Sequence, residues 1–249
     1  MPRATVELET RDGKCPTSVF RPQGSGPWPG VIVYMDGFGP RPALFALCER
    51  LASHGYFVLL PDLFYRAGPY ETPPPNLFSD GVKRKAWVDT YFTVASIANV
   101  VSDTATFLDF LSAQPDVLQP KVGTTGYCLG GARSLAAAGS YPERIVAAAS
   151  YHGGGLATDA PDSPHLFAPR MKARVYVAGA VEDIFFPDAM KQRLDEALTA
   201  AGVAHTVETY EGARHGWVLT DSLVHNPAAA ERHWRTLVEL FDATLKQTA

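Results

Sequence analysis

The segment Gly126-Tyr127-Cys128-Leu129-Gly130 constrains the fold of this chain more than any other. It sets a thiol at the centre of a Gly-x-nucleophile-x-Gly pattern. Residues 121–125 before it read as a short strand, and residues 131–138 after it read as a helix. A strand, a tight glycine-flanked turn and a helix are what a nucleophile elbow requires. Glycine is needed there because the nucleophile sits on a sharp turn where larger neighbours would clash. The helix that starts at the turn directs its free N–H groups and the positive end of its dipole at the sulfur, which favours a thiolate.

The rest of the chain alternates strands and helices around that turn. Residues 4–10 and 15–21 read as antiparallel strands joined at Asp12-Gly13. The apolar run 31–35 suits a strand covered on both faces. Leu44, Leu47, Cys48 and Leu51 fall at helical spacing, and a second apolar run follows at 56–60. Strand, helix, strand implies parallel pairing. From about 64 to 100 the alternation breaks. Gly68, Pro69 and Pro73–Pro75 mark an irregular, lid-like excursion rich in aromatic residues, and it also carries Lys83-Arg84-Lys85. Later come a helix over 103–113, strands at 145–151, 174–179 and 205–210, a helix carrying Met190, Leu194 and Leu198, and a last helix from about 228. The expected fold is one α/β-hydrolase domain over 1–249, a mostly parallel central sheet of about seven or eight strands with helices on both faces.

Composition narrows the function. A length of 249 residues suffices for a large core. A net charge of −4 offers no basic footprint for nucleic acid or an anionic membrane. The first residues lack the apolar segment of a secretory signal, and no apolar run is long enough to span a bilayer. A cytoplasmic protein with a small-molecule substrate is expected. The three cysteines, Cys15, Cys48 and Cys128, have no metal-ligand spacing and suggest no disulfide framework. Of these, Cys128 alone has a chemical context.

A cysteine nucleophile needs a base, and the base needs an acid to orient it. Ligands of α/β sheets bind outside the carboxyl ends of the strands. Searching those ends gives Cys128 after one strand, Asp183 after a later one and His215 after the last. Nucleophile, acid, histidine is the chain order of α/β-hydrolases. Glu182 competes with Asp183 as the acid, and the spacing to Pro187 favours Asp183.

With these residues in place, the chain resembles the dienelactone hydrolase family. The likeness rests on Gly126-Tyr127-Cys128-Leu129-Gly130-Gly131, Asp183-Ile184-Phe185-Phe186-Pro187 and Ala213-Arg214-His215-Gly216-Trp217, and on the order of elements between them. The resemblance implies a Cys128, Asp183, His215 triad. It also implies an oxyanion hole made by the backbone N–H groups of Gly37 and Leu129, an acyl-enzyme, and no metal or organic cofactor. It further implies that Asp36, one methylene shorter than the glutamate usual in the family, tunes the protonation of Cys128. Relatives that take the unsaturated lactone acid hold its carboxylate with two arginines. Arg84 is the counterpart of one, and Leu219 stands where the other is expected, with Arg41, Arg133 and Arg214 as possible replacements. Phe38, Arg84 and Trp217 are the candidate substrate contacts.

Plainer readings stand beside these. Lys83-Arg84-Lys85 reads as a solvated face ahead of an anion site. His152 reads as a structural hydrogen-bonding residue ahead of a pocket residue. Phe38, Tyr65, Phe185 and Trp217 are pocket wall or core, which pattern does not separate. The expected activity is hydrolysis of a carboxylic ester or lactone. The alternatives are a thioesterase, a broad carboxylesterase or peptidase-like hydrolase, and a non-catalytic binder of small molecules on the same fold.

Overall fold

The N-terminal hairpin forms, with its turn one residue earlier than the Asp-Gly pair suggests. In the computed structural model, which describes residues 3–73 and 76–246, β1 (Arg3–Thr10) and β2 (Gly13–Phe20) pair antiparallel with Thr10 opposite Gly13. Arg11 and Asp12 are therefore the loop. The Thr10 hydroxyl closes it by accepting from Asp12 N–H and donating to the Gly13 carbonyl.

The remaining strands are β3 (Trp28–Tyr34), β4 (Phe57–Pro61), β5 (Val117–Tyr127), β6 (Ile145–Tyr151), β7 (Arg174–Ala180) and β8 (His205–Tyr210). All eight form one sheet in the order β1-β2-β4-β3-β5-β6-β7-β8, antiparallel up to β4 and parallel from β4 to β8. Helices cover both faces. On one face α1 (Pro42–Ser53) and α6 (Pro227–Leu245) meet through the Arg50–Glu231 ion pair and a His54–Trp234 stack. On the other, α3 (Ile97–Ala113) packs on α4 (Leu129–Ser140). The helix α5 (Asp188–Ala200) connects β7 to β8. Because both faces are covered, β3 and β4 are continuous apolar runs, fully buried from Val31 to Tyr34 and from Phe57 to Leu60. No single helix among the described residues is long and apolar enough to cross a membrane.

Two elements differ from the sequence expectation. α3 begins at Ile97, with the Ser96 hydroxyl capping Asn99 N–H, not near 103. Its buried face runs through Val100, Asp103, Thr104, Phe107 and Leu111. Apolar periodicity alone missed this phase because Asp103 is buried by pairing with Arg66 at 2.7 and 2.8 Å. The excursion at 64–100 is mostly helical. It contains a 3₁₀ turn at Tyr65–Ala67, the short helix α2 (Gly81–Trp87) capped by Asp80, and a π-helical turn at Val88–Phe92. Pro74 and Pro75 lie outside the described residues. The apolar stripe that reveals a helix is missing from α2, because none of its residues is buried. Its aromatic neighbours anchor it instead: Trp87 lies 4.0 Å from Tyr91 between ring centroids, and both lie against Phe64 and Tyr70.

Register sets where the functional side chains emerge. Tyr34 lies opposite Gly126, and Tyr127 opposite Tyr151. The loops after β3, β5 and β6 therefore leave the sheet side by side at its carboxyl edge, where open α/β sheets bind ligands.

Candidate active site

Cys128 is the single residue between β5 and α4, with φ 50° and ψ −112°. Holding a non-glycine residue there costs of order 1–3 kcal/mol, which the surroundings must impose. The glycines show how. A Cβ on Gly126 would lie 2.0 Å from the Gly130 carbonyl oxygen, and one on Gly130 would lie 2.1 Å from the Tyr34 carbonyl oxygen. The helix can turn back across β3 and β5 only if both side chains are missing. Gly130→Ala is thus expected to destabilise the protein by roughly 3 kcal/mol, since the obstacle is backbone. That corresponds to a fall of about 6–12 °C in Tm. Gly81→Ala, which meets open space, serves as the control in the same melting experiment.

Asp183 lies in the loop after β7 and is 5% exposed, whereas Glu182 is exposed. Asp183 Oδ1 accepts from Phe185 N–H at 2.9 Å, and Oδ2 accepts from His215 Nδ1 at 2.8 Å. His215 sits in the loop after β8, where Gly216 at φ 100° allows the chain to turn. Phe185 and His152 flank its ring, and its Nε2 is buried on the side of Cys128. Burial by itself pushes the imidazole pKa down. Charge on Cys128 and the hydrogen bond to Asp183 outweigh it, and the value rises to about 10. Asp183 and a charged Cys128 thus both favour the imidazolium form of His215.

The loop after β3 is braced from several sides. Arg41 donates to Asp36 Oδ1 and Oδ2 at 2.7 and 2.9 Å, to Asp221 Oδ2 and Oδ1 at 2.6 and 3.1 Å, and to the Gly39 carbonyl at 3.1 Å. Phe38 N–H donates to Asp36 Oδ1 at 3.0 Å, and Trp87 Nε1–H donates to the Gly37 carbonyl at 2.8 Å. Asp36, expected to act on Cys128, borders the same cavity as the sulfur, but Arg41 and its own loop engage its oxygens. The sequence showed Asp36 and Arg41 five residues apart. It gave no sign of Asp221, which lies 180 residues beyond Arg41. Leu129 opens α4, so its N–H belongs to the first turn, where helix amides lack intrahelical partners.

These loops enclose a cavity of about 610 Å³ that brings together Cys128, Leu129, His152 and His215. Its apolar wall includes Phe38, Val88, Phe92, Phe185, Leu219 and Leu223. Two of the three expected substrate contacts, Phe38 and Arg84, line it. Trp217 does not. It is fully buried behind the site, edge-on to His152 at 4.9 Å and against Tyr210 at 5.3 Å. Among the arginines expected to replace the one missing at Leu219, Arg41 and Arg133 line the cavity, Arg41 being ion-paired to Asp36 and Asp221, and Arg214 is exposed away from it. Arg133 donates to the carbonyls of Ala95 and Leu129, and burial lowers its pKa to about 10.

His152 joins the two roles that its sequence reading separated. It lines the cavity, and its Nδ1 accepts the Cys128 N–H at 3.2 Å. Burial, then the charge of His215, holds its imidazole well below the ordinary value. It is neutral, with Nδ1 free to accept. Its φ of 41° and its pairing with the elbow carry no local sequence signal.

The chain as a whole is similar to known proteins of one family. The model of the dienelactone hydrolase family matches residues 15–245. A candidate carboxymethylenebutenolidase of Synechocystis sp. is 28% identical over 230 residues, covering 90% of each chain. The carboxymethylenebutenolidase of Rhodococcus opacus is 25% identical over 222 residues, covering 86% of this chain and 81% of that one. The crystal structure of a candidate dienelactone hydrolase from Klebsiella pneumoniae superposes with a TM-score of 0.83 at 22% identity, covering 96% of this chain and 98% of its own, a likeness of fold.

Proposed function

The chain belongs to the dienelactone hydrolase family and is a hydrolase, and from that premise we propose that it cleaves a carboxylic ester or lactone through a thioester on Cys128. The observation that carries the reading is the Asp183–His215 hydrogen bond of 2.8 Å, on the cavity that also holds Cys128 at its strained elbow. Sγ of Cys128 attacks the carbonyl carbon. The carbonyl oxygen takes up the negative charge against the N–H groups of Gly37 and Leu129. Preorganised donors of this kind are worth about 10²–10³ in rate each. His215 then gives the Nε2 proton to the leaving oxygen as the C–O bond breaks. In an ester the alcohol departs; in a lactone the ring opens and the hydroxyl stays on the acyl chain. The neutral His215 next takes a proton from water, whose oxygen attacks the thioester, and the carboxylic acid leaves as the Cys128 thiolate returns. Asp183 holds Nδ1–H throughout, so Nε2 faces the reaction.

The cavity wall supports a substrate with a sizeable apolar part, because Leu219 and Phe185 occupy it beside the histidine. Arg84 and Arg133 are the cations available to an anionic group, such as the carboxylate of the lactone that relatives named carboxymethylenebutenolidase act on. A chromogenic aryl ester tests the mechanism. A rapid burst of phenol approaching one equivalent per protein, followed by slower turnover, is expected. Turnover without any thioester trapped on Cys128 by acid quench and mass spectrometry would overturn it.

A further inference from the structure

A hydrogen bond joins the lid to the oxyanion loop. Trp87, the last residue of α2, donates from Nε1 to the Gly37 carbonyl, and the amide at the other end of that peptide, Phe38 N–H, donates to Asp36. The Gly37–Phe38 peptide is therefore gripped at both ends, by the lid and by its own loop. This matters because Gly37 has no Cβ to limit its backbone rotation. The direction of its N–H depends on what restrains the neighbouring peptides. The Phe38 and Gly39 amides are engaged inside the loop, by the carboxylate and the carbonyl of Asp36, so neither is the donor for an oxyanion. The indole is itself fixed, with Tyr91 at 4.0 Å and Phe64 and Tyr70 edge-on at 6.1 and 6.0 Å. It also stands where α2 passes into the π-helical turn Val88–Phe92, an irregularity frequent at functional sites.

We propose that Trp87 is a positioning residue for the oxyanion hole: its indole N–H fixes the Gly37–Phe38 peptide and so aims the Gly37 N–H at the oxygen that becomes charged. The role rests on the acyl-enzyme reading given above. It makes the lid part of the catalytic geometry as well as a wall of the cavity.

Trp87→Phe keeps an aromatic ring in the cluster and removes the donor. Two reactions of the same sulfur separate positioning from general damage. Ester hydrolysis passes through an oxyanion, whereas alkylation of Cys128 by iodoacetamide does not. Trp87→Phe is expected to lower kcat/KM for an aryl ester about tenfold, mainly in kcat, because the donor is loosened rather than removed. The alkylation rate should stay within twofold of wild type. Phe64→Leu, which disturbs the same cluster without touching the indole N–H, is expected to lower Tm while leaving the ratio of the two rates unchanged. An unchanged ratio in Trp87→Phe, or an equal fall in both rates, overturns the proposal. If wild-type protein itself gave no thioester on Cys128, the acyl-enzyme reading would fail instead, and the two failures are told apart in one set of measurements.

Discussion

Cys128→Ala is expected to reduce ester hydrolysis by about 10⁴-fold or more while the protein stays folded. Removing the nucleophile of a triad takes away nearly all the rate that the triad supplies and leaves what binding and the oxyanion donors give. No second thiol can take over. Cys15 and Cys48 are fully buried in other elements, and burial pushes the Cys15 thiol up to about 12 and Cys48 well above its ordinary value. Titration of the native protein with a thiol reagent should therefore modify one cysteine and abolish turnover at one equivalent. The fold should tolerate the change because Cys128 is only partly buried and the glycines around it keep their places. Alanine inherits the left-handed strain, so Tm should change by a few degrees at most. Paired kcat/KM and Tm measurements check this. Turnover within tenfold of wild type, in folded protein, would remove Cys128 from the chemistry.

The sequence revealed the parts of this site that leave local marks. The elbow shows because Gly126 and Gly130 have no side-chain alternative at 2.0 and 2.1 Å from backbone oxygens. The parallel sheet shows because strands covered on both faces are continuous apolar runs, and the edges after β5, β7 and β8 then point to Cys128, Asp183 and His215. What stayed hidden rests on contacts between residues far apart in the chain. Arg41 meets Asp221 across 180 residues, and Trp87 meets Gly37 across 50. Pattern gives no sign of such pairs. A buried charge also misleads periodicity, as Asp103 does on α3. Trp217 misled for a different reason. It lies next to the His215 loop in sequence, yet its side chain turns into the core, because β8 and the loop after it leave a slot between Tyr210 and His152.

Asp183→Asn is expected to cost roughly 10³-fold in kcat/KM, somewhat less than the ~10⁴-fold that the same change costs in a serine triad. The amide is the same shape as the carboxylate but can accept on one atom only. If its oxygen keeps the Phe185 N–H, its NH₂ faces His215 Nδ1 and demands the tautomer with the proton on Nε2. That nitrogen then has no lone pair with which to take a proton from water. The loss is smaller than in a serine triad because a charged Cys128 also favours the imidazolium. The pH dependence carries the sign. A histidine raised from its ordinary 6.5 to about 10 contributes stability that is fully present below about 6.5 and lost as pH rises through about 10. Wild-type kcat/KM should fall along the same alkaline limb as the leaving oxygen loses its proton donor. In Asp183→Asn the limb should move to lower pH, and the difference in Tm between the two proteins should shrink as pH rises from 7 to 10. An alkaline limb that does not move when Asp183 becomes asparagine would mean that Asp183 does not hold the proton of His215, and the triad would reduce to a Cys128–His215 pair.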